Sequence, residues 1–255
     1  MKTMSRLIAV AIAFLMLSST ALAGGVVITA KDFAKELKAD KSLVIIDANA
    51  AATYAKMHVQ GAVNIPVKEL VKTGDIEGLL KSPEELAAYF GTKGVSNTSK
   101  IILYDDGSNK YTSRLYWVLK YLGANDVRIL HKNMDEWKAA RIMLTRAPSK
   151  PAKKTFTPSV NSKIFASTAD VKAKLGIAVI LDARTEAEYN GTSTEKKSNG
   201  HIKGAVFCEY NEFLTDKGAF KSKEEIIATA KKHGASADKA VVAYCATGVK
   251  AGVIY

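Results

Sequence analysis

The residue with the clearest potential for chemistry is Cys245, which lies in the segment VVAYCATGVK (241–250). A strand-like apolar run precedes this cysteine, and small residues with a glycine follow it. In an open parallel sheet, ligands bind at the carboxyl ends of the strands, which is where the cysteine would lie. The position predicts a nucleophilic cysteine; the alternative is a buried thiol that packs as a small apolar side chain.

The six residues CATGVK form a loop between this predicted strand and a predicted helix. Backbone N–H groups in such a loop can converge on one point, and small side chains leave that point open to a ligand. A positive charge in the same loop also favours the thiolate form of a cysteine. We therefore expect the loop to bind an anionic substrate, with a solvent-exposed lysine as the alternative for Lys250. The predicted substrate-binding residues of the loop are Ala246, Thr247, Gly248, Val249 and Lys250.

An internal repeat indicates which elements would position this loop. Asp47 aligns with Asp182, and Tyr104 aligns with Tyr244. Two homologous copies along one chain indicate two units of the same fold. The matching segments are SLVIIDANAAATY (42–54), MHVQGAVNIP (57–66) and KIILYDDGS (100–108) in the first copy, and IAVILDARTEAEY (177–189), GHIKGAVFCEY (200–210) and AVVAYCATG (240–248) in the second.

Each copy alternates short apolar strands with amphipathic helices. This pattern predicts an α/β fold in which each domain is a parallel sheet flanked by helices. Segment 147–160 carries three of the five prolines together with several lysines, which is typical of an extended linker. We therefore predict two tandem domains, residues 24–146 and 161–255, joined by this linker.

The first 23 residues are typical of a secretory signal peptide. Lys2 and Arg6 lead into the apolar run LIAVAIAFLMLSS, and Ala21-Leu22-Ala23 gives the small-x-small pattern of a cleavage site. We expect cleavage after Ala23, a periplasmic or secreted mature protein, and no stable membrane association once the peptide is removed. An uncleaved membrane anchor is the alternative.

The formal net charge of the chain is +12. The lysines are scattered along the sequence, without a basic helix or a lysine–aromatic pattern, so we do not expect nucleic acid as a partner. A cationic surface helps to attract small anions, although it also serves solubility alone.

The order of these motifs resembles that of the rhodanese family of sulfurtransferases. The motifs are D-A-R-x-x-x-E-Y, G-H-I-x-G-A and Y-C-x-x-G-V, and the two-copy layout resembles the tandem thiosulfate and mercaptopyruvate sulfurtransferases. The resemblance implies an active second domain and an inactive first domain, in which Asp105 occupies the position of Cys245. It also implies that Arg184 binds the anionic substrate, with a salt bridge to an acid such as Glu188 as the alternative.

The resemblance further implies a double displacement that needs no metal or organic cofactor. Cys245 would take sulfur from a small anionic donor as a persulfide and pass it to cyanide, a thiol or a thioredoxin-like protein. CATGVK matches neither the thiosulfate-type nor the mercaptopyruvate-type loop: Ala246 and Thr247 resemble the neutral mercaptopyruvate loop, while Lys250 adds charge to it. A thiosulfate-like donor is the expectation. The alternatives are a 3-mercaptopyruvate sulfurtransferase and a non-enzymatic periplasmic sulfur carrier or binding module. Ala251 stands where the related phosphatases carry arginine, which disfavours phosphatase activity.

Structural roles are predicted for several other polar residues. We expect Asp182 to orient loops through hydrogen bonds. We expect His201 to form hydrogen bonds within its turn and so to be structural, because the matching His58 belongs to the unit without a cysteine. Cys208 is expected in the core and not as a resolving thiol, with a Cys208–Cys245 disulfide as the alternative.

The second copy also stops earlier in the repeat than the first. Tyr255 aligns with Leu115, after which the first copy continues through YWVLKYLGANDVRIL. We therefore expect an incomplete second domain with exposed sheet surface.

Overall fold

The computed structural model describes residues 25–194 and 200–255, so the predicted signal peptide lies outside the described residues. No helix in these two ranges is both long enough and apolar enough to cross a membrane. The described chain forms two α/β units, one after the other along the sequence.

The first unit is built on five parallel strands: β1 (Val27–Ile28), β2 (Val44–Asp47), β4 (Val63–Asn64), β5 (Lys100–Tyr104) and β6 (Asp126–Leu130). Their order across the sheet is β1-β6-β5-β2-β4. Two further short strands, β3 (His58–Val59) and β7 (Leu144–Thr145), pair antiparallel beside it. Strand β5 therefore lies in the centre of the sheet. Its carboxyl end lies midway along the edge that the carboxyl ends of the parallel strands form.

Helices cover both faces of this sheet. They are α1 (Ala30–Ala39), α2 (Ala51–Lys56), α3 (Pro83–Thr92), α4 (Lys110–Tyr121) and α5 (Met134–Ala139). Successive residues of β5 point to opposite faces, as strand geometry requires. Ile101 and Leu103 pack with α3 and α4, whereas Ile102 and Tyr104 pack with α1 and α5. The two faces thus form two separate apolar cores.

The second unit repeats this arrangement on a smaller scale. Its strands β8 (Val179–Asp182), β9 (Val206–Phe207) and β10 (Val241–Tyr244) form a parallel sheet with the order β10-β8-β9. Its helices are α6 (Thr168–Ala173), α7 (Glu186–Asn190), α8 (Lys223–Lys232) and α9 (Ala251–Ile254). In the part of the chain described, β10 pairs only with β8, whereas its counterpart β5 pairs on both sides. Val241 at this edge is accordingly 42% exposed.

Strand register confirms the repeat that the sequence predicts. Asp47 lies opposite Tyr104 in the first sheet, and Asp182 lies opposite Tyr244 in the second. The helix that precedes β5 in the first unit and the helix that precedes β10 in the second also begin in the same way. Ser82 starts α3 and Ser222 starts α8, each with a reciprocal capping box to a glutamate three residues later.

The predicted linker contains no helix or strand between residues 147 and 160, but it is docked on the first unit. Phe156 is 6% exposed and packs beside Phe90 in the core under α3. The N–H groups of Lys154 and Ser159 donate to the carbonyls of Gly91 and Leu122 at 3.0 and 2.9 Å. The segment is therefore extended, as expected, and fixed in place by these contacts.

Candidate active site

Cys245 follows β10 directly, at the carboxyl end of the strand, as its sequence position predicts. Its thiol is free and half-buried. The N–H of Ala251, the first residue of α9, donates to the sulfur at 3.4 Å. Gly248 has a φ of 76°, a conformation that glycine adopts without strain. The loop therefore turns back so that its far end faces the cysteine sulfur.

The first unit holds a carboxylate at the equivalent place. Asp105 follows β5, and its two carboxylate oxygens accept hydrogen bonds from the backbone of the loop after it. The donors include Gly107 and Asn109 at 2.9 and 3.1 Å, and Tyr111 at 3.2 Å. Tyr111 has the sequence position of Ala251, the residue whose N–H points at the cysteine of the second unit. In the first unit, the loop is thus a set of backbone donors directed at the side chain that follows the strand.

Lys250 closes the predicted loop and lies in an ion pair. Its Nζ is 2.8 Å from Glu188 Oε2, with the two side chains 28% and 19% exposed. Burial opposes ionisation of Glu188, but hydrogen bonds from Lys250 and Thr185 outweigh it and lower the pKa of Glu188 to about 2. The pair therefore holds the end of the loop against α7.

Arg184 lies against Asp182 at the end of the neighbouring strand β8. Its Nε donates to Asp182 Oδ1 at 2.8 Å, and its Nη2 donates to the Gly200 carbonyl, also at 2.8 Å. The hydroxyl of Tyr244 donates to Asp182 at 2.5 Å, and the guanidinium stands over the Tyr244 ring. The hydrogen bonds to Asp182 raise the pKa of Arg184, so this residue stays cationic. Arg184 therefore forms a salt bridge, which was its alternative predicted role, and Asp182 is a partner in it.

These contacts agree with the orienting role predicted for Asp182, since its carboxylate joins β8 to the tyrosine before the cysteine. His201 and His58 share two contacts in the two units. Each imidazole ring stacks on the tyrosine of the preceding helix: His201 on Tyr189 and His58 on Tyr54, with ring centroids 3.8 and 3.7 Å apart. Each Nδ1 also forms a hydrogen bond with the backbone carbonyl of that tyrosine. A geometry shared by the unit that contains Cys245 and the unit that contains no cysteine indicates a structural role.

Cys208 is fully buried in the core of the second unit, and neither cysteine forms a disulfide. Burial raises the pKa of the Cys208 thiol to about 12. Its sulfur lies within 4.8 Å of donor atoms of Glu212 and His233, the one such group of three in the described ranges. Glu212 already accepts hydrogen bonds from His233 and Lys232, at 3.0 and 3.2 Å. Glu212, His233 and Lys232 therefore form a hydrogen-bonded cluster beside the buried thiol of Cys208.

The two units cover each other's loops, an arrangement that neither copy reveals alone. A Cβ atom on Gly78 of the first unit would stand 2.5 Å from the Thr247 carbonyl oxygen in the loop of the second. In the same way, a Cβ on Gly218 of the second unit would overlap the Gly107 carbonyl in the loop of the first. The Cys245 loop therefore lies at the interface between the units.

A residue of the first unit that sequence reasoning missed also reaches this loop. Arg114 of α4 is 8% exposed, and a Cβ placed on Gly248 would lie 2.6 Å from its Nη1. In the alignment of the two copies Arg114 matches Ile254, so the repeat itself carries no signal for it. Only the packing of α4 on α9 brings it to the cysteine loop.

Residues 29–140 and 167–254 each match the rhodanese-like domain family. The chain belongs to this family. A thiosulfate sulfurtransferase of Azotobacter vinelandii is 28% identical over 216 residues, covering 84% of this chain and 80% of that protein. A 3-mercaptopyruvate sulfurtransferase of Escherichia coli K12 is 28% identical over 214 residues, covering 82% and 76%.

A solved structure confirms the tandem rhodanese fold. The chain superimposes on SseA of Escherichia coli, a 3-mercaptopyruvate sulfotransferase with the rhodanese fold, with a TM-score of 0.80 and 27% identity. The match covers 90% of this chain and 91% of that one. The predicted α/β class with two tandem rhodanese-like units is therefore confirmed. The residue-level roles of Cys245, Arg184 and the loop stay predictions.

Proposed function

We propose that this rhodanese-type enzyme transfers a sulfane sulfur from a small thiosulfate-like anion to a nucleophilic acceptor through a persulfide on Cys245. The observation that carries the proposal is the half-buried free thiol at the end of β10, with the Ala251 N–H directed at its sulfur. The equivalent loop of the first unit supports it, because there the same kind of loop holds the carboxylate of Asp105.

The proposed reaction has two steps. The Cys245 thiolate attacks the outer sulfur of thiosulfate; a new S–S bond forms, the old one breaks, and its electron pair leaves with sulfite. Cyanide or a thiolate then attacks the outer persulfide sulfur and leaves with it, which returns the Cys245 thiolate. Backbone donors and cations near the sulfur stabilise negative charge in both steps. The charges and atoms balance without an external oxidant or reductant.

Two observations bear on the donor. The relatives include both thiosulfate and 3-mercaptopyruvate sulfurtransferases, at the same identity of 28%. The loop CATGVK carries one lysine, and this lysine is paired with Glu188. We propose thiosulfate as the donor, with 3-mercaptopyruvate as the second candidate, and cyanide, a thiol or a thioredoxin-like protein as the acceptor.

The test compares kcat/KM for thiosulfate and for 3-mercaptopyruvate, with cyanide as the acceptor. Cys245→Ser should abolish turnover, whereas Cys208→Ala, the matched change at the other cysteine, should retain it. Loss of activity in both variants, or in neither, would contradict the assignment of Cys245. A single loading with sulfur that cyanide cannot discharge would indicate a carrier in place of an enzyme.

We also propose that the protein is exported to the periplasm or secreted. Support comes from the sequence of residues 1–23, with its basic start, apolar run and Ala-Leu-Ala site. N-terminal sequencing of protein made in its host tests this: a mature chain that begins at Gly24 supports export with cleavage, and an intact Met1 contradicts it.

A further inference from the structure

Arg114 carries a positive charge from the first unit to the catalytic loop of the second. The guanidinium touches the backbone of that loop, since a Cβ on Gly248 would lie 2.6 Å from Nη1 and 2.9 Å from Cζ. Burial lowers the pKa of Arg114, and the negative charge of an ionised Cys245 acts in the opposite direction. The guanidinium therefore lies against the loop that follows Cys245, close enough for a charge on the sulfur to act on it.

The hydrogen-bonding capacity of this guanidinium is mostly unused. Nη2 donates to the Gly78 carbonyl at 3.3 Å, and Cζ lies 4.9 Å from the Trp117 ring centre. Nε is buried without a partner. Within residues 25–194 and 200–255, no carboxylate forms an ion pair with Arg114. A buried cation without an anion is costly, so such an arrangement calls for a negatively charged ligand.

The other two cations predicted for the site differ in this respect. Lys250 is paired with Glu188, and Arg184 is paired with Asp182. Each of these pairs already compensates its positive charge within the second unit. Arg114 thus differs from both, since no carboxylate among the described residues pairs with it.

We propose that Arg114 of the first unit binds the anionic group of the sulfur donor while Cys245 attacks the donor's outer sulfur. This inference rests on the proposed function and adds a residue to its site. As the S–S bond of thiosulfate breaks, negative charge accumulates on the departing sulfite, and a planar guanidinium donates charge-assisted hydrogen bonds to such an oxyanion. The unit without a cysteine then contributes one residue, Arg114, to the site that binds the donor.

Gly248 fits this assignment because any side chain there would displace the guanidinium. Its φ of 76° already favours glycine, and the added Cβ would meet three atoms of the Arg114 head group within 3.3 Å. The backbone at Gly248 and the guanidinium of Arg114 are therefore in direct contact, and a larger residue at position 248 would move the guanidinium.

The experiment compares alkylation of Cys245 by anionic iodoacetate and by neutral iodoacetamide, with the labelled site located by peptide mass spectrometry. Arg114→Met removes the charge at similar volume, and Arg114→Lys retains it. Lys38→Met, on the exposed side of α1, is the matched control for losing one positive charge. We expect the rate ratio of iodoacetate to iodoacetamide to fall by about ten- to a hundredfold in Arg114→Met, and far less in Arg114→Lys and Lys38→Met.

An unchanged ratio in Arg114→Met would overturn the proposal, whether the two rates stay the same or fall together as a merely structural role predicts. Sulfur loading from thiosulfate should fall by a factor similar to that of the ratio. If the unaltered protein takes no sulfur from thiosulfate, the proposed donor fails, while the alkylation ratio still decides whether Arg114 attracts anions to Cys245.

Discussion

Replacing Asp182 with asparagine should destabilise the second unit far more than the same change at Asp47 destabilises the first. Asp182 is completely buried and accepts hydrogen bonds from Arg184 and Tyr244. The change removes a counter-charge from an arginine side chain that is 7% exposed. Removing one partner of a buried ion pair costs about 3–5 kcal/mol, because the other charge stays buried.

Asp47 offers a matched control within the same chain. It is also completely buried, but the residue two positions later is Asn49 and not arginine. Its Oδ2 has no hydrogen-bond partner, and burial raises the pKa of Asp47. Asparagine loses no ion pair there, so we expect a cost of about 1 kcal/mol or less.

The two cysteines and two tryptophans allow each unit to be followed separately. In a Cys245→Ser background the remaining thiol is Cys208, which is buried in the second unit. Its alkylation as a function of urea reports opening of that unit. Trp117 and Trp137, the two tryptophans of the chain, both belong to the first unit, so their fluorescence reports its unfolding.

With an m-value of about 2 kcal/mol/M, the loss predicted for Asp182→Asn lowers the urea midpoint of Cys208 alkylation by roughly 1.5 M or more. Asp47→Asn should shift the tryptophan midpoint by about 0.5 M or less. Similar shifts for the two variants would refute the reasoning, since the arginine pair would then contribute nothing that the first unit lacks.

Three further outcomes follow from the packing and the charges. Gly218→Ala should destabilise the protein more than Gly176→Ala, by roughly 1–3 kcal/mol in urea unfolding. Both positions have a positive φ, but only a Cβ at 218 would meet another residue within 4 Å, at the Gly107 carbonyl. Equal costs for the two variants would contradict the interface between the units. Carbon-13 NMR should give Glu188 a titration midpoint of about 2 that rises towards 4.5 in Lys250→Met, and an unchanged midpoint would remove the ion pair as the cause. Because the folded pKa of Glu188 is depressed, the stabilisation by this pair is complete above about pH 4.5 and is lost as the pH falls towards about 2, a change in stability that Glu188→Gln should lack.

The repeat made most of the fold predictable from the sequence. Asp47 with Tyr104 and Asp182 with Tyr244 recur at matching places, and the structure pairs them in the same register. The local sequence also indicated that Cys245 directly follows an apolar strand, and β10 does end at Tyr244. These features depend on residues close together in the chain or on a period that the chain displays twice.

Contacts between the units were not predictable in this way. Arg114 aligns with Ile254, and nothing in its local sequence shows that α4 packs against α9. The contact of Gly78 with Thr247 likewise joins segments that are far apart in the sequence. Such contacts depend on how two folded units meet, which the periodicity of either unit does not encode.

The ion-pair partners of the predicted cations could also be predicted from the sequence only in part. The sequence predicts Arg184 and Lys250 as cations of the site, with a salt bridge as the alternative role for Arg184. The structure pairs Arg184 with Asp182, two residues earlier, and Lys250 with Glu188, on a helix 62 residues away in sequence. Side-chain direction at a strand end decides these pairings, and spacing along the chain does not determine it.

The central claim is that Cys245 carries a sulfur atom, and intact-protein mass spectrometry tests it most directly. The protein is weighed before and after incubation with thiosulfate, and again after cyanide, with Cys245→Ser alongside. We predict a gain of one sulfur atom that cyanide removes and that the variant does not show. A folded protein that gains no sulfur from thiosulfate or 3-mercaptopyruvate, or a gain that persists in Cys245→Ser, would contradict it.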